Sequence, residues 1–110
     1  MSADPAGQRV LSVSECLALL TTTRIGRLVF TEQALPAVRP LTFAFDTGAV
    51  VVRRAAWSPP VSLDGMIVAF EVDELDPQTG SGWFVTVVGR ARVEAAEIVI
   101  SADRVEGRRA

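Results

Sequence analysis

Apolar and polar residues alternate along most of the chain in runs of strand length. Six such runs are separated by clusters of Gly, Pro, Asp, Ser and Thr, which favour turns. The predicted strands cover residues 25–30, 37–45, 49–54, 66–72, 83–93 and 98–105. Short connections between strands favour antiparallel pairing, so the pattern predicts a mainly β protein built as a small closed six-stranded antiparallel barrel.

One helix is predicted, near residues 13–22. Ser12 and Glu15 have the spacing of a capping box, in which each residue satisfies a free amide of the first turn. Apolar residues follow at helical spacing, and three consecutive threonines at 21–23 end the helix because β-branched residues favour extension. A single turn of helix is also predicted within 61–65.

Prolines and turn residues mark where the predicted sheet is interrupted. Pro40 lies inside the second run and lacks a ladder donor, so it should lie at an edge, at a bulge or at a break that faces a ligand. Asp46, Thr47 and Gly48 predict a short hairpin, and residues 31–36 predict a turn. Residues 55–60 leave the sheet, because they end in two successive prolines.

The amino-acid composition excludes several classes of function. The chain has 110 residues and 49% hydrophobic content, which indicates one domain over 11–110, behind a flexible leader at 1–10. It contains no His, Tyr or Lys, so serine–histidine and cysteine–histidine hydrolases are excluded. Its net charge of −2 predicts no nucleic-acid partner. A single Cys and no membrane or signal segment predict a cytoplasmic protein with no membrane partner.

Three groups of reactive side chains are predicted to be structural. The acidic residues between Glu71 and Asp76 alternate with apolar ones and are expected to form a solvated strand face, not a metal site. Cys16 has no histidine to activate it and is expected to be a buried, inert thiol. Arg24 and Arg27 are expected to form surface ion pairs, with phosphate binding as the alternative.

A second arginine group is the stronger candidate for chemistry. Arg39 precedes the strand-breaking Pro40, and Arg53 and Arg54 end the third strand ahead of a free Ser58 hydroxyl. Guanidinium groups at a strand end suit a phosphate, although surface pairing remains equally open.

The two tryptophans lie just beyond the ends of predicted strands. A ligand ring could stack on either Trp57 or Trp83, but core or interface packing is the more common role of such residues. A dimer is expected in addition, because an open barrel of this size with the apolar run at 83–88 exposes more β surface than a monomer covers.

Several segments in order resemble the pyridoxamine 5′-phosphate oxidase-like family of split barrels. The resemblance is carried by LSVSECLALLTTTRIGRLVF, PAVRPLTFAFD, VVVRRA and VAFEVDELDPQTGSGWFVTVVGRARV, and it resumes in EIVISADRVEGRR. The chain looks like the small actinobacterial-type branch related to nitroimidazole-resistance proteins.

The resemblance implies a homodimeric split β-barrel with two cofactor sites in the dimer groove. The cofactor is usually FMN, and some relatives use the deazaflavin F420 or haem. The resemblance places Arg39, Pro40, Leu41 and Thr42 beside the isoalloxazine ring, Arg53, Arg54, Ala55 and Ser58 at the phosphate, and Trp83 as an approach from the partner subunit.

Two departures from the family pattern define an alternative function. Pro59 and Pro60 occupy the neighbourhood in which family members carry a lysine, and only residues 94–97 remain where relatives have a helix and a long loop. The leading hypothesis is an FMN-dependent oxidoreductase acting on a small molecule, with no metal. The alternative is a degenerate, non-catalytic split-barrel dimer that binds F420, another small anion or a protein partner.

Overall fold

The structure, a computed structural model, describes residues 8–110 apart from the side chain of Ala56. In this part of the chain it has nine strands and one α-helix. The elements in chain order are β1 (Arg9–Val10), α1 (Val13–Leu20), β2 (Ile25–Glu32), β3 (Leu35–Thr42), β4 (Ala44–Asp46), β5 (Ala49–Arg53), β6 (Ile67–Leu75), β7 (Gly82–Val93), β8 (Glu97–Ser101) and β9 (Arg104–Arg109). Single turns of 3₁₀ helix occur at Arg54–Ala56 and Val61–Leu63. None of the helical segments within 8–110 has the length and apolar character that crossing a bilayer requires.

The strands form one curled antiparallel sheet with an opening between its ends. Its order is β3-β2-β6-β7-β8-β5-β4, and off this path β9 pairs with β7 and β1 pairs with β9. β3 and β5 approach each other without pairing, so the barrel stays split on that side. The chain crosses the opening at Phe43, which directly links the edge strand β3 to the edge strand β4. This arrangement confirms the predicted split-barrel fold class.

β7 is the strand that joins the two halves of the sheet. Residues Trp83–Val88 pair with β9, and residues Ala91–Val93 pair with β8 on the same side. The change of partner occurs at Gly89, whose lack of a side chain allows the carbonyl of Ser101 to approach closely. The core lies inside this bend, and its fully buried members include Phe70, Leu28 and Val87.

The predicted strands differ from the observed ones mainly in their breaks. The predicted run at 37–45 is divided at Phe43 into β3 and β4, and the run at 98–105 is divided at Ala102–Asp103 into β8 and β9. Each break marks a change of pairing partner, which alternation along the chain cannot show. The predicted turn at 31–36 is shorter than expected, because Gln33 and Ala34 alone make it, both with positive φ.

The start of the chain and the helix follow local signals closely. Ser12 and Glu15 form the predicted capping box, with Ser12 Oγ accepting from the Glu15 amide at 3.1 Å. The helix ends at Leu20, two residues earlier than predicted. Of the predicted leader, residues 1–7 lie outside the described residues, whereas Arg9–Val10 form β1 and pair with β9.

Candidate functional site

Two cavities lie along the opening between β3 and β5. The first, which we call the tryptophan cavity, has a volume of about 360 Å³ and is lined by Arg39, Trp57, Ser58, Pro59 and Pro60, among others. The second, the arginine cavity, has a volume of about 940 Å³ and includes Thr42, Arg24, Arg53 and Arg92 in its lining. The tryptophan cavity takes one wall from β3 and another from the segment after β5. The arginine cavity takes only Thr42 from β3, and most of its lining comes from β4, β5, β8 and the segment after α1.

The tryptophan cavity is organised around a stack of three side chains. The Arg39 guanidinium carbon lies 5.6 Å from the centroid of the Trp57 ring, a cation–π distance. The Trp57 ring in turn lies 5.3 Å from the ring of Phe30, whose side chain belongs to the core. This stack holds a guanidinium beside the hydroxyl-bearing Ser58, on a support that is fixed by packing.

The predicted cofactor-binding residues, those for the ring and those for the phosphate, are divided between the two cavities. Arg39 and Ser58 lie in the tryptophan cavity, whereas Thr42 and Arg53 lie in the arginine cavity. Arg54 is directed elsewhere, because its Nη1 donates to the carbonyl oxygen of Glu94 at 3.2 Å. Arg53 and Arg54 are adjacent in sequence, but the chain enters a 3₁₀ turn between them and their side chains separate.

The remaining predicted site residues line neither cavity. Pro40 is exposed on the edge strand β3, as its missing donor requires, and Leu41 is a core residue that is 5% exposed. Ala55 is exposed in the 3₁₀ turn. Leu41 and Pro40 still form part of the β3 wall of the opening, through their backbone.

Trp83 is a core residue of its own protomer. Its side chain is 5% exposed and packs on the inner face of β7, opposite Glu74 and Arg109 in register. Val85 and Val87 point the same way and are fully buried, so the apolar run that suggested a dimer surface is largely internal. The approach of Trp83 from a partner subunit stays a prediction, and this burial does not favour it.

Two arginines of the arginine cavity were not predicted as site residues. Arg24 was expected to form a surface pair, yet it lines the cavity and makes no such pair with residues 8–110. Arg92 belongs to the basic end of β7, and its nearest carboxylate, Glu94, is 3.8 Å away. The alternation of Arg90, Ala91 and Arg92 was the only sequence signal for it, because register alone decides that it faces the cavity.

Arg27 makes the surface pairs that were predicted for it. Its Nη1 donates to Glu71 Oε1 at 2.7 Å and to Asp73 Oδ2 at 2.9 Å. The two carboxylates share one face of β6, opposite the buried Val72, as the alternation indicated. They are more covered than a solvated face implies, with side-chain exposures of 28% and 23%. Burial raises the pKa of Glu71 to about 7, together with the hydrogen bond that its protonated carboxyl donates to Asp73 and with the charge of Asp73, against the opposing effect of Arg27.

This raised pKa predicts a stability that depends on pH. Glu71 binds a proton more tightly in the folded chain than in the unfolded chain, where its pKa is near 4.5. The free energy of unfolding should therefore fall as the pH rises from about 4.5 to about 7. Urea unfolding across this range should show a smaller fall in Glu71→Gln, whereas Glu74→Gln, an exposed carboxylate of the same strand, should keep the wild-type slope. Equal slopes in wild type and Glu71→Gln would show that Glu71 is not the responsible group.

The other reactive side chains give no second centre. Cys16 is fully buried, as predicted, and burial raises the pKa of its thiol. Within the described part of the chain, no three His, Cys, Asp or Glu side chains come together as metal ligands would.

Comparison with known protein families identifies the family of this chain. The family model for pyridoxamine 5′-phosphate oxidase matches residues 12–107. The chain belongs to the pyridoxamine 5′-phosphate oxidase family. This confirms the resemblance found in the sequence.

Two individual proteins from mycobacteria are similar to this chain, one in sequence and one in sequence and fold. An uncharacterized protein of Mycobacterium tuberculosis is 39% identical over 87 residues, which are 74% of this chain and 57% of the relative. The chain thus spans little more than half the length of that relative. The FAD binding protein from Mycobacterium smegmatis is 28% identical and has a TM-score of 0.78, covering 94% of this chain and 98% of its own.

The fold is also that of a candidate 5-nitroimidazole antibiotic resistance protein from Bacteroides thetaiotaomicron. The two chains are 9% identical with a TM-score of 0.67, and the match covers 93% of this chain and 88% of the other. At this identity the likeness concerns the fold alone.

Proposed function

We propose that this protein is an oxidoreductase and that it binds its flavin cofactor in the opening between β3 and β5. The observation that carries the proposal is the tryptophan cavity, in which Arg39 from β3 and Ser58 from the segment after β5 lie together beside the Trp57 ring. The chain belongs to an oxidoreductase-like family, and its M. smegmatis relative is named as an FAD binding protein.

Arg39 and Ser58 supply the donors that a flavin phosphate requires. A guanidinium stacked on an indole keeps its in-plane N–H groups available, and these match two phosphate oxygens in a bidentate bond. The Ser58 hydroxyl can donate a further hydrogen bond. Because Trp57 is packed against Phe30, Arg39 is positioned before the ligand arrives, which lowers the cost of ordering it.

The backbone of β3 suits the ring end of the same ligand. β3 pairs only with β2, so alternate amides and carbonyls on its other side lack strand partners and face the opening. Residues Arg39 and Thr42 are three apart, about 10 Å along an extended strand. An elongated ligand could place its phosphate at Arg39 and the polar edge of its ring at Leu41 and Thr42.

The protein's part in the reaction is to bind and orient. A bound flavin supplies the hydride or electron transfer. The chain has no His, Tyr or Lys, and Glu71, whose pKa is near 7, lies on β6 in the lining of neither cavity. Protons that the substrate gains or loses would be exchanged with water or with the bound flavin.

The proposed contacts do not distinguish FMN from FAD, because both carry the same ring, ribityl chain and first phosphate. FMN is the cofactor predicted from the sequence, and FAD is the one in the name of the M. smegmatis relative. Titration of the apoprotein with each, followed by flavin fluorescence, separates them. If neither binds at concentrations up to about 1 mM, the proposed function is wrong.

Arg39→Gln should weaken flavin binding about 10- to 150-fold, because it removes a charge-assisted hydrogen bond to phosphate worth about 1.5–3 kcal/mol. The dissociation constant should be measured for FMN and for FAD. Arg104→Gln is the matched control, since Arg104 is 71% exposed and pairs with Glu106 on β9. An unchanged dissociation constant in Arg39→Gln would place the phosphate elsewhere.

A second candidate is a non-catalytic dimer that binds F420, another small anion or a protein partner. Pro59 and Pro60 line the tryptophan cavity and provide no cation there. Residues 94–97 form a tight turn, with the Glu94 amide donating to the Glu97 carbonyl at 2.7 Å, so no helix covers the neighbouring arginine cavity. Flavin binding without reductase activity, or preferential binding of F420, would favour this candidate.

A homodimer is part of both candidates. The outer face of the β3-β2-β6 layer exposes large apolar side chains, among them Ile25 at 62%, Val38 at 58% and Ile67 at 56%. Apolar area of this kind is the usual material of a protein interface. The proposed interface therefore lies on this face, in place of the buried run at 83–88.

A further inference from the structure

We propose that the arginine cavity binds a small organic monoanion with a flat apolar body, an aromatic or short aliphatic carboxylate. The claim that this anion is the substrate rests on the proposed function, because only then does a flavin lie at the Thr42 edge of the cavity. The claim that the anion binds does not depend on a flavin.

The floor of the cavity is the outer face of the second half of the sheet. In β5 the buried Val50 and Val52 point to the core, so Val51 and Arg53 point the opposite way, into the cavity. The pairing registers place Ala44, Val51, Val99 and Arg92 in one row across β4, β5, β8 and β7. Three of the four side chains in this row are small and apolar, and the fourth carries a guanidinium.

The cations around this floor are free to bind a ligand. The side chains of Arg24 and Arg53 make no hydrogen bond or ion pair with any of residues 8–110. Arg92 has only the exposed contact with Glu94 at 3.8 Å, and such pairs contribute less than about 1 kcal/mol. These three guanidinium groups have few carboxylate partners within the protein, so they are available to bind the carboxylate of a ligand.

Two carboxylates in the same lining restrict the charge of the ligand. Asp46 and Glu97 both line the cavity, so the formal balance with the three arginines is a single positive charge. A polyanion such as a pyrophosphate would meet repulsion from both carboxylates. A monoanion with an uncharged body satisfies the balance, and the apolar floor between the charged ends matches that body.

The hydroxyl of Thr23, which belongs to the same lining, is not satisfied by any of residues 8–110. Its Oγ1 has less than 1 Å² of exposed surface and no hydrogen-bond partner, although its residue lines the cavity. A buried hydroxyl left without a partner costs about 1–3 kcal/mol, and native structures seldom leave one. A ligand in the cavity can accept this hydrogen bond only after the Thr23 side chain rotates toward it, because Oγ1 is almost inaccessible in its present position. The cavity volume of about 940 Å³ is ample for a ligand of this size.

The test uses benzoate and benzamide, which have the same ring and nearly the same shape but differ in charge. Benzoate at up to about 10 mM should raise the melting temperature of the flavin-free protein, because a ligand of the native state stabilises it. Benzamide should not. Arg24→Gln and Arg92→Gln should each weaken benzoate binding about tenfold or more. Arg104→Gln, distant in sequence and paired on β9, should behave as wild type.

Each other outcome overturns a defined part of the proposal. Equal shifts with benzamide would show that the charge has no role, and no shift with benzoate would refute the site. Much stronger binding of phenyl phosphate than of benzoate would replace the carboxylate by a phosphate dianion. If Arg24→Gln and Arg92→Gln weaken FAD binding by the same factor, the cavity belongs to the cofactor. If benzoate binds and no flavin does, the site stands but its anion is not the substrate of a flavoenzyme.

Discussion

Trp83→Ala is expected to lower the free energy of unfolding by about 3–5 kcal/mol, because it removes a large side chain from a packed interior and leaves a cavity. Trp83 is 5% exposed and lies next to Val85 on the inner face of β7, at the centre of the sheet. The total free energy of unfolding of a single domain is about 5–15 kcal/mol, so this variant should retain little stability. Urea unfolding followed by tryptophan fluorescence of the remaining Trp57, and by circular dichroism, measures the change.

Trp83→Phe separates the core role from the predicted role in a partner's flavin groove. Phenylalanine fills most of the same volume, so its cost should stay near 1–2 kcal/mol if Trp83 acts by packing. Flavin affinity and the dimer mass from light scattering should then match wild type. A variant that keeps its stability but loses flavin affinity would show that Trp83 contacts the cofactor across the dimer, as the family resemblance implied.

Gly89→Ala is expected to destabilise the fold by more than about 3 kcal/mol, which approaches the largest single-residue effects in small domains. A Cβ at position 89 would overlap the carbonyl oxygen of Ser101, a backbone atom that cannot move without breaking the turn between β8 and β9. At about 4 °C per kcal/mol for a chain of this length, the melting temperature should fall by more than about 10 °C.

Gly80→Ala is the matched control for this prediction. Gly80 has φ of +70° in the β6–β7 turn, and a Cβ there meets no atom within 4 Å. The same substitution then costs only the left-handed backbone strain, about 1–2 kcal/mol. Comparable melting temperatures for the two variants would mean that the bend of β7 tolerates a side chain and that Gly89 is not the residue on which the two halves depend.

The elements of this fold were largely predictable, and the breaks between them were not. Helix α1 and its capping box depend on residues within one turn of each other, so local chemistry was sufficient. The division of the predicted strand at 98–105 was not visible, because this run contains no proline or glycine that would mark a break. The break exists because β7 changes partner at Gly89.

The candidate site, too, was predictable only where it depends on residues close together in sequence. Arg39 and Ser58 were both predicted as cofactor-binding residues, Arg39 beside the ring and Ser58 at the phosphate. The structure brings them into one cavity, and a phosphate held by both stays a proposal. Arg54 was included because it is adjacent to Arg53, but one residue in a strand or turn reverses the direction of a side chain. Arg24 was expected to form a surface pair, because such pairs are common. Most of the cavity that it lines is formed by residues 42–53 and 92–99, which are distant from it in sequence.

The sequence by itself determined the family, the mainly β character, the capped helix and the kind of chemistry that the chain cannot perform without a cofactor. Each of these depends on residue types, local spacing or the order of segments. Only the tertiary structure decided which arginines face a cavity and that Trp83 belongs to the core. These outcomes depend on strand register and on the point at which β7 changes partner, and both are set by contacts between residues far apart in the chain.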